Sequence, residues 1–180
     1  MKWVQFRSKS LRGSAYLESA EAVQAVCQTY GATFIINDQV EIAKALRADG
    51  IHLGQDDMPI FEARQVLGKD KIIGGTANTV EQVLNLLETS VDYIGLGPYR
   101  NTQTKVKLSP ILGASGIQKV ISAANSNIPI IAIGGIGLED FSTVMNCGVQ
   151  GLAISSAINF AENPKECATQ FIEKLKFVNA

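Results

Sequence analysis

Histidine, cysteine and tryptophan are scarce in this chain, with one, three and one among 180 residues. The single histidine, His52, stands between Ile51 and Leu53 in an apolar run, where packing is its ordinary role. No Ser-His-Asp or Cys-His set assembles around it. Cys27, Cys147 and Cys167 are an odd number at wide spacing with no CxxC pair. That argues against a thiolate metal site or a disulfide framework and suits a reducing cytoplasm. Net charge is also small, at −1, which gives no bulk pull toward nucleic acid or an anionic membrane. Any anion site must therefore be built from locally placed cations. No apolar run approaches the roughly 20 residues that span a bilayer. The longest, Ile128 to Leu138, is broken by Pro129, Gly134, Gly135 and Gly137. The opening MKWVQFRSKS lacks the apolar core of a signal peptide. No GxGxxG follows the first apolar run, so nothing marks a dinucleotide fold.

What remains is an ordinary globular composition, 46% hydrophobic and 18% charged, in a length that suits one domain over residues 1–180. Short apolar runs alternate with amphipathic stretches. Strands are expected at Lys2 to Phe6, Thr33 to Ile36, Ile51 to Leu53, Lys71 to Gly74, Tyr93 to Leu96, Pro129 to Ile133 and Gly151 to Ile154. Helices are expected between them: one capped by Ser14 and ended by Gly31, then others near 39–48, 60–67, 79–89, 114–125 and 138–147. A last helix covers about 164–177. This alternation predicts an α/β fold with a parallel sheet. Seven strand–helix units point to a TIM-type (β/α)8 barrel lacking one unit, with a doubly wound open sheet as the competing architecture.

Polar clusters fall where these strands end. Asp92 to Lys105 (DYIGLGPYRNTQTK) is a buried strand, a Gly97-Pro98 stop, and a loop bearing Thr102, Gln103, Thr104 and Lys105. Hydroxyls, an amide and a cation past a strand end are what an anion site needs. Gly134-Gly135 and Ser155-Ser156 close the last two strands, where bare backbone N–H groups can hold a phosphate; simple turns are the plainer reading of those glycines. Arg7 and Lys9, two apart on an extended segment, can face one anion. Asp38 and Asp57 end neighbouring strands and suit Mg²⁺, which takes one or two carboxylates and leaves the rest to water and phosphate oxygens. Asp56 rivals Asp57 as a ligand, and either aspartate also suits a turn or helix cap. Metal beside phosphate sites points to a diphosphate-bearing substrate.

The segments VQFRSK (4–9), FIIND (34–38), ADGIHLGQDD (48–57), IIGGTAN (72–78), DYIGLGPYRNTQTK (92–105), IPIIAIGGI (128–136) and GVQGLAISSAI (148–158) together resemble the thiamine phosphate synthase family. The variants GGTANT and KLSPILG resemble Bacteroidota members. The resemblance implies a transferase of thiamine biosynthesis, a TIM barrel that joins a pyrimidine diphosphate to a thiazole phosphate and releases diphosphate. It implies that Asp38 and Asp57 hold Mg²⁺ and that Arg7, Lys9, Asn37 and Lys105 grip the diphosphate. Gln5 and Thr76 would line the pyrimidine pocket. Thr102, Gln103, Thr104, Gly135, Ser155 and Ser156 would hold the thiazole phosphate, and Arg7, Lys9, Lys105 and Thr76 would act in the chemistry. Two positions depart in type: Ser8 stands where an acidic residue is usual, and Thr76 where serine is common. Family members carry a strand and helix before VQFR, so the first unit is expected to be missing here. A second copy of the chain in a homo-oligomer is one way to cover the strand edges this would leave. Thiazole tautomerases of the same superfamily, which carry a histidine near Asn78, and an inactive phosphate-binding barrel are the alternatives. The expected partners are small molecules, not nucleic acid or membrane, and the expected location is the cytoplasm.

Overall fold

The computed structural model describes residues 2–101 and 110–178. The chain forms two compact units, Met1–Gly75 with Thr89–Asp92 and Thr76–Glu88 with Tyr93–Ala180.

In the first unit the elements are β1 (Trp3–Phe6), α1 (Gly13–Thr29), β2 (Thr33–Asn37), α2 (Val40–Ala45), β3 (Gly50–Leu53), α3 (Ile60–Leu67) and the opening of β4 (Ile72–Ala77). The strands are parallel and neighbour one another in sequence order, with Phe6 opposite Ile36, Ile36 opposite Ile51, and Ile51 opposite Ile73. β3 is buried at every position, and β2 at all but its first residue. That explains why their sequences are runs of apolar residues without alternation. In β1, by contrast, exposed and half-buried residues alternate, and the alternation continues through Lys9: Gln5, Arg7 and Lys9 are exposed, while Phe6 and Ser8 are half-buried. Phe6 meets Tyr16 edge-on, with ring centroids 5.1 Å apart. α1 starts one residue before the expected cap. The extended N-cap conformation belongs to Arg12, so Ser14 lies inside the first turn. The returning segment Thr89–Asp92 is fixed by Asp92, whose Oδ2 accepts from Arg64 Nη2 at 2.6 Å and from the Ile73 N–H at 2.7 Å.

The second unit takes up the end of β4 and continues with α4 (Val80–Leu87), β5 (Tyr93–Leu96), α5 (Gly113–Ala124), β6 (Ile130–Ile133), α6 (Phe141–Met145), β7 (Gly151–Ala153), α7 (Ser156–Asn159) and α8 (Pro164–Val178). The Gly97 N–H donates to the Ala77 carbonyl at 3.1 Å. β5, β6 and β7 are parallel, with Leu96 opposite Ala132 and Ala132 opposite Leu152. Ile94, Leu96, Ile117, Val120, Ala132, Phe141 and Val144 are buried. Thr79 caps α4 by accepting the Gln82 N–H at 3.1 Å. One expectation changes here, and one element was not foreseen. The helix near 138–147 is a 3-10 turn over Leu138–Asp140 followed by a short α6. The segment after β7 is not all loop, because Ser156 opens α7. Among the described residues there are seven strands, and no helix is long and apolar enough to cross a membrane.

Candidate active site

The strand registers of the first unit bring its polar residues to one level. Phe6 lies opposite Ile36, and Ile36 opposite Ile51. Arg7, Asn37 and His52 therefore follow at the next step, with Asp38 just beyond. A cavity of about 200 Å³ opens there, lined by Arg7, Ser8, Lys9, Arg12, Tyr16, Asn37, Asp38 and Gln39. Four expected site residues, Arg7, Lys9, Asn37 and Asp38, thus share one space. Gln5 joins them by donating from Nε2 to Asn37 Oδ1 at 2.7 Å. The backbone at Asp38 is left-handed, with φ 65°. Its N–H is held by the His52 carbonyl at 2.9 Å. A non-glycine residue in this region is uncommon, and aspartate is among the few that tolerate it. His52 itself is buried at 6% exposure, as a packed histidine should be.

Electrostatics at this cavity favour anions. Desolvation and the neighbouring positive charge of Arg7 both hold the Lys9 ammonium below its ordinary value of 10.5, even though the side chain is largely exposed. The Tyr16 phenol is pushed above its usual value by burial and then by the charge of Asp38, against an opposing pull from Arg7. It keeps its proton and remains a donor at neutral pH.

The Mg²⁺ expected from the sequence would need hard oxygen donors. Asp38 presents a carboxylate to the cavity. Asp57 is half-buried in the turn after β3, where its Oδ2 accepts the Gly54 N–H at 2.6 Å. It is therefore a turn residue as well as a ligand candidate, and it does not cap α3, whose N-cap is Pro59. Both belong to one unit and follow neighbouring strands, but only Asp38 lines the cavity. Among the described residues no three His, Cys, Asp or Glu side chains gather to hold a metal ion by themselves. The pair suits only a cation that takes its other ligands from water and phosphate.

In the second unit Thr76 is buried on β4 at 4% exposure. Ile133 lies opposite Ala153, so Gly135 and Ser155 each stand two residues past paired positions on adjacent strands. Gly134 and Gly135 have φ of 90° and 69°. A Cβ on Gly135 would lie 2.9 Å from both Arg100 Cβ and the Asn101 carbonyl. Glycine is thus required here for space as well as conformation. Ser155 Oγ accepts from Asn159 Nδ2 at 3.3 Å. Asn78 donates from Nδ2 to the Gly97 carbonyl, a tie between strand ends. Thr102, Gln103, Thr104 and Lys105 lie outside the described residues.

Four cavity residues lie outside the expected site set: Ser8, noted only as standing where an acidic residue is usual, and three that sequence reasoning missed altogether. Arg12 and Gln39 sit in polar stretches that carry no motif, and Tyr16 reads as one more apolar position of α1. The other omission is in the second unit: Asp140, only 3% exposed, takes Arg100 Nη2 at 2.5 Å and the Tyr99 hydroxyl at 3.4 Å. No periodicity signals that contact, because its partners are about 40 residues apart.

With this arrangement in view, comparison with known proteins is decisive. The family model described as thiamine monophosphate synthase matches residues 1–158. The chain belongs to this family. The thiamine-phosphate synthase of Flavobacterium psychrophilum is 49% identical over 177 residues, covering 97% of this chain and 86% of that one. The enzyme of the same name from Phocaeicola vulgatus is 47% identical over 166 residues, covering 91% of this chain and 80% of the relative. Among solved structures, thiamine phosphate pyrophosphorylase from Pyrococcus furiosus superposes with a TM-score of 0.90 at 28% identity. That match covers 99% of this chain and 85% of the other. The thiamine monophosphate synthase family is therefore shown by sequence and by fold together. The likeness to Bacteroidota members expected from GGTANT and KLSPILG holds as well.

Proposed function

We propose that this chain joins a pyrimidine diphosphate to a thiazole phosphate, giving thiamine phosphate and free diphosphate, and that it does so on a TIM-type scaffold of about seven strand–helix units, with residues 1–180 acting as one catalytic domain. Membership of the thiamine monophosphate synthase family supports the reaction. The observation that carries the residue assignment is the cavity where Arg7, Lys9, Asn37 and Asp38 meet. Three unpaired thiols suit a reducing cytoplasm.

The chemistry follows from where charge develops. The C–O bond between the pyrimidine methylene and the diphosphate breaks, and its electron pair leaves with the oxygen. The thiazole nitrogen then gives its lone pair to the methylene carbon, closing a C–N bond. Charge builds on the departing oxygens, so fixed cations and donors are the useful catalysts and a general base is not needed. Arg7 and Lys9 grip those oxygens, and Asn37 is held in place by Gln5. Asp38 and Asp57 would hold Mg²⁺, which would add to the neutralisation of the diphosphate. Lys105 acts with Arg7 and Lys9, while Thr76 orients the pyrimidine. Thr102, Gln103, Thr104, Gly135, Ser155 and Ser156 hold the thiazole phosphate.

The test is thiamine phosphate formation by the purified chain, with Mg²⁺ and with EDTA. Metal-dependent product supports the reading, and equal rates in both would remove the metal from it. Asp57→Asn keeps an acceptor for the Gly54 N–H and removes the charge. It should lower turnover by about a hundredfold or more while thiazole phosphate binds as before. Parallel loss of both would overturn the division of labour between the two sets of residues.

A further inference from the structure

The cavity of the first unit holds one more cation than the reaction above assigns. Arg12, immediately before α1, lines it together with Arg7 and Lys9. Its Nη1 donates to the Leu11 carbonyl at 2.7 Å. That uses one of five guanidinium N–H groups, so the side chain is anchored by its own loop and keeps four donors. Among the described residues neither Arg12 nor Lys9 is ion-paired. The lining sets a single carboxylate, Asp38, against three cations. One phosphate group carries about −1.5 to −2 charges at neutral pH, which Arg7 and Lys9 already match. Arg12 adds a separate planar fork of the kind that takes two oxygens of one phosphate. Space allows it: with liquid water at about 30 Å³ per molecule, the cavity of about 200 Å³ exceeds the volume one phosphate group fills.

We propose that Arg12 is a specificity-determining residue that contacts the second phosphate of the leaving group, so that this cavity favours a diphosphate over a monophosphate. The inference rests on the substrate reading given above and names the residue that sets the choice.

The test is calorimetric binding of inorganic diphosphate and of orthophosphate, each with Mg²⁺, to the whole chain and to Arg12→Gln, Arg12→Lys and Arg7→Gln. Loss of a charge-assisted contact should weaken diphosphate about tenfold in Arg12→Gln, with orthophosphate changed less than about twofold. Arg12→Lys should recover part of that loss, because it keeps the charge without the fork. In turnover, KM for the pyrimidine diphosphate should rise in step, while KM for the thiazole phosphate stays put. Diphosphate binding unchanged in Arg12→Gln but lost in Arg7→Gln would remove Arg12 and leave the substrate reading intact. Unchanged binding in both variants, or none in the parent chain, would overturn that reading along with the inference. Equal losses for both anions would make Arg12 a general attractor and refute selectivity. Should Arg12→Gln fail to fold, the diphosphate-to-orthophosphate ratio of Arg12→Lys decides: an unchanged ratio refutes the role.

Discussion

At the scale of single residues, the first-unit cavity is a place where cations crowd, and its behaviour should be pH-dependent in a definite direction. Lys9 has its pKa lowered by desolvation and by Arg7, with Arg12, Tyr16 and Asp38 as the other charged or titratable groups lining the space. Above the lowered value the ammonium loses its proton and anion affinity falls. Inorganic diphosphate should therefore bind less tightly as pH rises, and the decline should begin below the 10.5 of an ordinary lysine. Proton uptake on binding, read from calorimetry in buffers of different ionisation heat, should grow over the same window. Lys9→Arg should flatten both, because a guanidinium stays charged throughout. A decline of unchanged size in Lys9→Arg would assign the titration elsewhere. Thiols give a second residue-scale expectation. Burial pushes Cys27 and Cys147 up, Cys27 also feeling Asp49, and both are buried while Cys167 is partly open. A thiol reagent should modify Cys167 first and reach the other two only after unfolding; rapid labelling of all three in the native chain would contradict this.

At the scale of elements, the loop after β6 tolerates little substitution. Gly135→Ala would strain a φ of 69° and press a Cβ onto Arg100 and Asn101. Gly68, with φ 88°, has open space around it, so Gly68→Ala meets the dihedral cost alone, about 1 kcal/mol. Gly135→Ala should cost about 2 kcal/mol or more, lowering Tm by several degrees; equal shifts for the two variants would mean the crowding relaxes. Arg100 offers a companion test. Arg100→Met leaves the buried Asp140 carboxylate without its cation, and a double-mutant cycle with Asp140→Asn should show coupling above about 1 kcal/mol. Additive losses would mean that Asp140 is satisfied by the Gly137 N–H and Tyr99 alone. The same elements show how much was legible beforehand. β2, β3 and β5 announce themselves because strands buried on both faces are apolar runs that little else explains. α7 was missed because four residues of helix leave no period to read. Ser14 resembled a cap, yet the extended dihedrals fell at Arg12, and a capping residue type does not fix where the backbone turns. In the site, Arg7, Lys9, Asn37 and Asp38 were legible as strand-end polar residues, and parallel register does bring them together. Arg12 and Tyr16 were not, because helix periodicity reports which face is apolar and not where a hydroxyl or guanidinium at its first turn reaches.

For the whole molecule, ligand linkage is the broadest expectation. A polyanion that binds only the folded chain raises its stability by about 2.7 kcal/mol at a hundred times Kd. Diphosphate with Mg²⁺ should therefore raise Tm, and added salt should erode the gain, since exposed cations are screened over about 10 Å at 0.1 M ionic strength. A shift indifferent to salt would speak against a cationic site. The left-handed backbone at Asp38 reaches further than its own turn. Its φ of 65° admits glycine, asparagine and aspartate with little strain, whereas the proposed chemistry asks for a carboxylate. Glutamate meets the second demand and fails the first; asparagine and glycine do the reverse. In a saturation library sorted for abundance alone, position 38 should accept all three short residues, and sorted for growth without thiamine it should accept one. The two sequence logos would separate the history of the fold from that of the catalyst at a single codon.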